Sequence, residues 1–254
     1  MKNVKQVQWF DSHFYKVGEE FYPSVTTKLN AESKPFLARW RGNVGNREAD
    51  KKMRESADRG SRIHHAWECY YNNIPVYYNP PLRPNYADEE IKEGFTLQNQ
   101  DEMYDLYKLE QWHKEVNPEL LANETIVYSD KWREAGQLDK VFDIKEGIYM
   151  INGAKPLKLE AGIYVADLKT GAGVGSAEEQ IAAYAAMYEE IHEVKVKGGL
   201  IVHTGAKTKS GLATKLIDNL DYHYETYRVI ANLWERKFGT KNPKVFEFPS
   251  MIKL

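Results

Sequence analysis

Two short segments in the second half of the chain combine residue types that can do chemistry. A strand-like segment ends in Gly136-Gln137-Leu138-Asp139, and a second apolar run ends in Asp167-Leu168-Lys169-Thr170. Successive side chains on a strand face opposite ways, so Asp167 and Lys169 share one side while Leu168 points into the core. With the Asp139 strand beside the Asp167 strand, two carboxylates and an ammonium meet on one patch. Gln180 and Tyr184 are four residues apart on the amphipathic segment that follows, so they share one helix face. Carboxylates without a thiolate suit a hard cation such as Mg2+ or Mn2+. A lysine beside that cation suits attack of water on a phosphodiester, so the expected chemistry is metal-dependent nucleic-acid hydrolysis.

The elements that must position these groups follow from periodicity and turn residues. Residues 7 to 29 alternate aromatic and polar side chains around Gly18 and read as a short hairpin closed by Pro23-Ser24-Val25-Thr26-Thr27, with Ser24 or Thr26 as a helix cap. Residues 31 to 73 read as helical, broken near Gly42-Asn43 and again near Gly60. Trp40, Met53, Ile63, Trp67 and Tyr70 are the expected buried stripe. A Pro/Tyr/Asn-rich loop over 74 to 86 precedes helices at about 88 to 98 and 101 to 116. From Asn123 the character is that of strands: Glu124 to Tyr128, Ala135 to Ile144, Gly147 to Ile151 and Leu157 to Leu168. Turns at Gly147 and Asn152-Gly153 make them an antiparallel meander. Ser176-Ala177-Glu178-Glu179 opens a helix with the flavour of a capping box, running to about His192. A strand over Leu200 to Thr204, a partner over Leu212 to Leu216 and a helix over Tyr222 to Phe238 complete the chain. The last presents Tyr227, Ile230 and Trp234 inwards. The expectation is an α/β (α+β) fold in one domain over 1–254, with a mainly helical part over 1–120 and a sheet core over 121–254.

Bulk composition excludes several classes. The chain has 254 residues, 42% hydrophobic and 28% charged, which is ordinary for a globular protein able to bury a core. No apolar run is long enough to span a bilayer, and the first residues lack the apolar region of a secretory signal. One cysteine, Cys69, leaves no disulfide framework and no cysteine-rich metal site, so a cytoplasmic or otherwise reducing compartment is expected. The net charge of −2 hides an uneven distribution. Arg39, Arg41, Arg47, Lys51, Lys52, Arg54, Arg59 and Arg62 face only Glu48, Asp50, Glu55 and Asp58, whereas Asp88 to Glu124 is strongly acidic. Such a basic stretch is either a solvated, ion-paired helix surface or a phosphate-binding face.

Competing motifs are weaker. Thr170-Gly171-Ala172-Gly173-Val174-Gly175-Ser176 follows a strand and precedes a helix, but it is neither G-x-G-x-x-G nor a P-loop. It reads as a flexible turn. No nucleophile elbow is present. His64 and Glu68 lie four apart on one helix face, so His64 can hang over a site on the sheet. Beside His65 it also suggests zinc, but no third His or Cys is spaced to complete such a site.

In this combination the residues resemble the PD-(D/E)xK nuclease superfamily, in its RecB-type branch. The parts are Gly60 to His64 (Gly-x-x-x-His), Glu124, Gly136 to Asp139 (Gly-x-x-Asp), Asp167 to Lys169 (Asp/Glu-x-Lys) and Gln180 to Tyr184 (Gln-x-x-x-Tyr). They occur in the branch's order over about half the chain. Tyr22-Pro23-Ser24-Val25-Thr26 and the Glu124 … Ala135-Gly136-x-x-Asp139 run are also similar to phage-type and mitochondrial genome maintenance exonucleases. The resemblance implies a restriction-endonuclease-like core, a mixed sheet flanked by helices with the metal at one edge. It implies His64, Asp139, Asp167 and the Leu168 carbonyl as ligands of Mg2+ or Mn2+, with Glu124 holding the metal or its waters. Lys169 would orient the attacking water and stabilise charge, and Gln180 and Tyr184 would bind the DNA backbone or support the lysine. His65 is the alternative to His64, which the four-residue step from Gly60 favours. The implied activity is a DNA exonuclease acting on ends or single strands in recombination, repair or replication, with a helicase or recombination protein as partner. An endonuclease on the same core and a non-catalytic nucleic-acid-binding module are the alternatives. Members with an iron–sulfur cluster need four cysteines, which this chain lacks.

Overall fold

The computed structural model describes residues 2–9, 12–78, 94–151, 156–171 and 175–239. Three antiparallel strands come first: β1 (Val4–Trp9), β2 (Ser12–Val17) and β3 (Glu20–Pro23). Gly18, between the last two, has the φ of +61° that glycine takes without strain. Ser24 caps α1 (Val25–Leu29) by accepting the Thr27 N–H at 3.0 Å. Helices α2 (Pro35–Val44) and α3 (Asn46–Tyr71) follow, then β4 (Val76–Tyr78), β5 (Phe95–Leu97) and α4 (Gln100–Val116). The remaining elements are β6 (Glu119–Ser129), β7 (Glu134–Ile144), β8 (Gly147–Tyr149), β9 (Leu157–Leu159), β10 (Gly162–Lys169), α5 (Ala177–His192), β11 (Val196–His203), β12 (Ala213–Ile217) and α6 (Leu220–Phe238).

The result is a mixed α/β protein around a central five-stranded sheet of order β12-β11-β10-β7-β6. Only β10 and β11 are parallel, because α5 carries the chain back over the sheet between them. Helices flank both faces. Tyr164, Ala166, Leu168, Leu200 and Val202 pack on Ile63 and Trp67 of α3 and on Leu109 and Trp112 of α4. Val165 and Ile201 pack in a second cluster with Ile181, Ala185 and Tyr188 of α5 and Tyr227 and Ala231 of α6. Burial on both faces explains why β10 and β11 read as near-continuous apolar runs. Behind the N-terminus of β7, the buried carboxylate of Glu134 accepts from Lys28, Tyr227 and Arg228, tying α1 and α6 to the sheet.

Several expectations change. The N-terminal part carries the short strands β1 to β5 beside helices α1 to α4. Residues 95–97 form a strand parallel to β4 rather than the end of a helix, and 88–93 lie outside the described residues. So do the Asn152-Gly153 turn and Ala172-Gly173-Val174. The break between the first long helices falls at Gly45, with φ +84°, and α3 continues through Gly60. Gly60 packs closely there: a Cβ would lie 3.3 Å from the Thr170 Oγ1 just past the end of β10. Met53 is 42% exposed instead of buried, because the N-terminal half of α3 projects beyond the sheet, with Ala49 its one buried residue before Ile63. The run over 157–168 is divided between β9 and β10 ahead of Gly162, whose φ is +150°. Ser176 precedes α5 without a side-chain capping bond. No helix of the described residues is long and apolar enough to cross a membrane.

One ion pair fixes α4 against α3. The fully buried Glu102 accepts from Arg62 Nη2 at 2.6 Å, Arg62 Nε at 3.1 Å and the Gln98 N–H at 2.9 Å. Burial disfavours its charge, but these donors, with the Asn99 side chain, outweigh it and hold the carboxyl down at about 2. A carboxyl with a depressed folded pKa stabilises fully above its unfolded value and loses that contribution as pH falls through the folded one. Glu102→Gln should therefore be less stable than the wild type by about 3 kcal/mol at pH 7, scaling the shift by 1.36 kcal/mol per unit. Chemical denaturation should show the difference shrinking as pH falls from about 4.5 towards 2. A difference independent of pH would remove the charge from the account.

Candidate metal centre

The sheet register brings the acidic residues together. Asn123 of β6 pairs with Lys140 of β7, and Lys140 pairs with Ala166 of β10. Regular pairing of β7 with β10 stops there, and the next residues along the three adjacent strands are Glu124, Asp139 and Asp167. Asp139 is thus the sixth residue of β7 rather than its end, and Asp167 lies two residues before the end of β10. Glu124 departs from the regular ladder. Its φ is +46°, and pairing resumes at Thr125 with Leu138. A non-glycine residue in this region inside a strand carries a conformational cost that the surrounding structure must offset. Its carboxylate is held by Gln137 Nε2 at 2.9 Å and by Lys140 Nζ at 3.2 Å.

His64 reaches the same group from α3. Its Nδ1 lies 3.2 Å from Asp139 Oδ2, which also accepts the Leu168 N–H at 2.8 Å. His64, Glu124 and Asp139 each offer a ligand atom within 4.8 Å of the others, so this group could hold a metal ion. Asp167 does not belong to that three-residue group. Its Oδ2 is 2.5 Å from Lys169 Nζ, so its charge is already paired. The imidazole of His64 with the carboxylates of Glu124 and Asp139, and no thiolate among them, is a donor set that fits a hard divalent cation.

The electrostatics show how much charge is crowded here. Burial and the neighbouring Asp139 charge raise the Asp167 carboxyl to about 6, against the opposing pull of Lys169. Burial also raises Glu124, again with Asp139 adding to it and Lys140 opposing. Asp139 goes the other way: burial would raise it, but His64, the Leu168 N–H and Lys140 together lower it. For His64 burial favours the neutral ring, yet Asp139, helped by Asp167 and Glu124, holds its pKa above the usual 6.5. Three carboxylates around one histidine concentrate negative charge that a bound cation would offset.

Gln180 and Tyr184 sit on α5 facing this group, as their spacing predicts. Gln180 Nε2 donates to the Tyr184 hydroxyl at 3.2 Å, and burial keeps that phenol well above its usual pKa, hence protonated. A cavity of about 600 Å³ is lined by Gly60, His64, Glu124, Asp139, Gln180 and Tyr184, and by Gln6, His13 and Tyr15 of the N-terminal sheet. Asp167 and Lys169 are not among its lining residues. Tyr184 lies directly on Gly136, where a Cβ would collide with its ring. Gly136→Ala should accordingly cost about 1–3 kcal/mol from overpacking. The cost should be largely absent when the same change is made in a Tyr184→Ala background, as a double-mutant cycle would measure. Additive losses would mean that the ring is not the obstacle.

His64, Glu124, Asp139, Gln180 and Tyr184 therefore share one cavity, with the Asp167–Lys169 pair beside it. His65 also lines the cavity, but it bonds to Glu68 at 2.9 Å and is not part of the ligand group. Sequence reasoning missed Lys140, which is fully buried, bonded to Glu124 and placed 4.7 Å from the Trp67 ring centroid. As the residue after Asp139 it reads as pointing to the opposite face, and only the left-handed turn at Glu124 reveals its partner. It also missed Gln137 and the contribution of the N-terminal sheet, for which no local pattern exists. The sequence matches no known protein family and no curated protein.

Proposed function

We propose that this protein is a metal-dependent deoxyribonuclease of the PD-(D/E)xK superfamily, RecB-type branch, with the five-stranded sheet as a restriction-endonuclease-like core. The observation that carries the reading is the convergence of His64, Glu124 and Asp139 in one group, with the Asp167–Lys169 pair beside it. His64, Glu124 and Asp139 would hold Mg2+ or Mn2+, with Asp167 and the Leu168 carbonyl completing the set. When bound, the cation supplies Lewis acidity to a phosphate and lowers the pKa of water. Lys169 holds a fixed positive charge beside the carboxylates, where it can orient water and stabilise negative charge growing on the phosphate. The protonated Tyr184, whose oxygen already accepts from Gln180, keeps its O–H free to donate to a phosphate oxygen. Burial of Asp139 and Asp167 excludes water from all but the cavity side and strengthens these interactions.

The likeness to phage-type exonucleases favours action on DNA ends or single strands. The test is cleavage, with Mg2+ or Mn2+, of single- and double-stranded DNA labelled at either end, beside circular single-stranded DNA. Degradation of linear but not circular substrates supports an exonuclease, and the label released first gives polarity. Cut circles would make it an endonuclease. Binding without any cleavage would leave a nucleic-acid-binding module and overturn the enzymatic reading.

A further inference from the structure

One face of α3 links two cavities. The first, about 670 Å³, lies at the corner between α2 and α3 and is lined by Arg47, Glu48, Lys51 and Arg54. The second is the cavity of the metal centre, to which α3 contributes Ala57, Ser61, His64 and Glu68. Arg47, Lys51, Arg54, Ala57, Ser61, His64 and Glu68 succeed one another by three or four residues, so they form one stripe along the helix. At 1.5 Å per residue, Arg47 lies about 25 Å along the axis from His64 and Arg54 about 15 Å.

The projecting half of this stripe is poor in structural tasks. Helix α2 buries no residue, and α3 buries only Ala49 before Ile63. Arg47 and Arg54 have no ion-pair partner among the described residues. Lys51 meets Glu55 only at 3.9 Å, with both side chains well exposed. Nearby acids are otherwise engaged: Glu48 with Lys52 at 3.6 Å and Asp50 with Arg41 at 2.6 Å. Three exposed cations spaced along one face, with little packing to maintain, match the repeated charges of a phosphate backbone.

We propose that the Arg47–Lys51–Arg54 face is a track that guides one unpaired polynucleotide strand, by sequence-independent phosphate contacts, into the metal-centre cavity. The proposal rests on the nuclease reading above and specifies its substrate. An unpaired strand is favoured because the ligand group lies in a cavity of about 600 Å³ shared by α3, the N-terminal sheet and the central sheet. That volume suits a splayed nucleotide, in the range of small-ligand pockets, better than a duplex.

The test is fluorescence anisotropy with a labelled oligodeoxythymidine, without divalent cation, across a salt series. The triple variant Arg47→Gln/Lys51→Gln/Arg54→Gln should bind at least tenfold more weakly at low salt. Its plot of log affinity against log salt should flatten by about 2, from about 0.7 per lost phosphate contact on a single strand. The single variants Arg47→Gln and Arg54→Gln, exposed and harmless to the fold, should each flatten it by about 0.7. In cleavage assays the triple variant should raise KM and spare the rate at saturating strand. A wild type that binds and cleaves DNA, with a triple variant unchanged in affinity and slope, would overturn the track and leave the nuclease reading standing. A wild type that neither binds nor cleaves any nucleic acid would overturn both. Binding to phosphatidylserine-containing vesicles but not to the oligonucleotide would overturn the track in favour of a membrane-facing arm.

Discussion

Asp139→Asn is expected to abolish DNA cleavage and the thermal stabilisation that Mg2+ or Mn2+ gives the wild-type protein. Asp139 lies on the middle one of the three strands, is the contact of His64 and is part of the group whose ligand atoms lie within 4.8 Å of one another. Asparagine keeps the shape and still accepts the Leu168 N–H, so the strand pairing survives while the charge is lost. A cation present at a hundred times its Kd stabilises the native state by about 2.7 kcal/mol. For a chain of this size that is a rise on the order of 5–10 °C. The variant should show little of it, with a cation-free melting temperature within a few degrees of the wild type. A variant that cleaves at the wild-type rate, or keeps the full cation-dependent rise, would refute the assignment.

Lys169→Ala should lose on the order of a hundredfold or more in cleavage rate, the range for removing one preorganised stabiliser of transition-state charge. DNA binding should be retained. Lys169 ends β10 with its side chain partly exposed and its ammonium 2.5 Å from Asp167 Oδ2, so its loss removes charge and little packing. Single-turnover rates at saturating Mn2+ separate this role from a binding role. A change confined to KM would make the lysine a phosphate binder, and an unchanged rate would remove it from the mechanism. Asp167→Ala goes further and should end cleavage, because it removes a buried carboxylate of the proposed centre and the partner that holds Lys169 in place. Full activity in that variant would sink the proposed centre.

Much of the fold was legible because it is written in local patterns. The end of α4 before Pro118, the antiparallel strands over Glu124 to Tyr128 and Ala135 to Ile144, α5 to His192 and the buried Tyr227 and Trp234 of α6 all follow from periodicity and breakers. Gly60 misled because glycine weakens a helix interior without ending it, and α3 runs on through residue 60 to pack on the sheet. Met53 misled for the opposite reason: an amphipathic pattern presumes a body to pack against, and the projecting half of α3 has none beyond α2. Residues 95–97 misread as helix because a three-residue strand owes its existence to β4 rather than to its own sequence.

By itself the sequence determined the residue types and their local phase. Asp167 and Lys169 lie on one strand side and Gln180 and Tyr184 on one helix face, because backbone geometry fixes periods of 2 and 3.6 whatever the surroundings. Only the tertiary structure decided that Glu124, Asp139 and Asp167 come together from three adjacent strands. A slip of one residue would turn each side chain to the opposite face, and the pairing of β6, β7 and β10 is chosen by the burial of distant segments. The same packing brought His64 to Asp139 and Lys140 to Glu124, left Asp167 with Lys169 outside the closest group, and set Tyr184 on Gly136. Those relations depend on how layers stack, a physical outcome of the whole chain that no local spacing encodes.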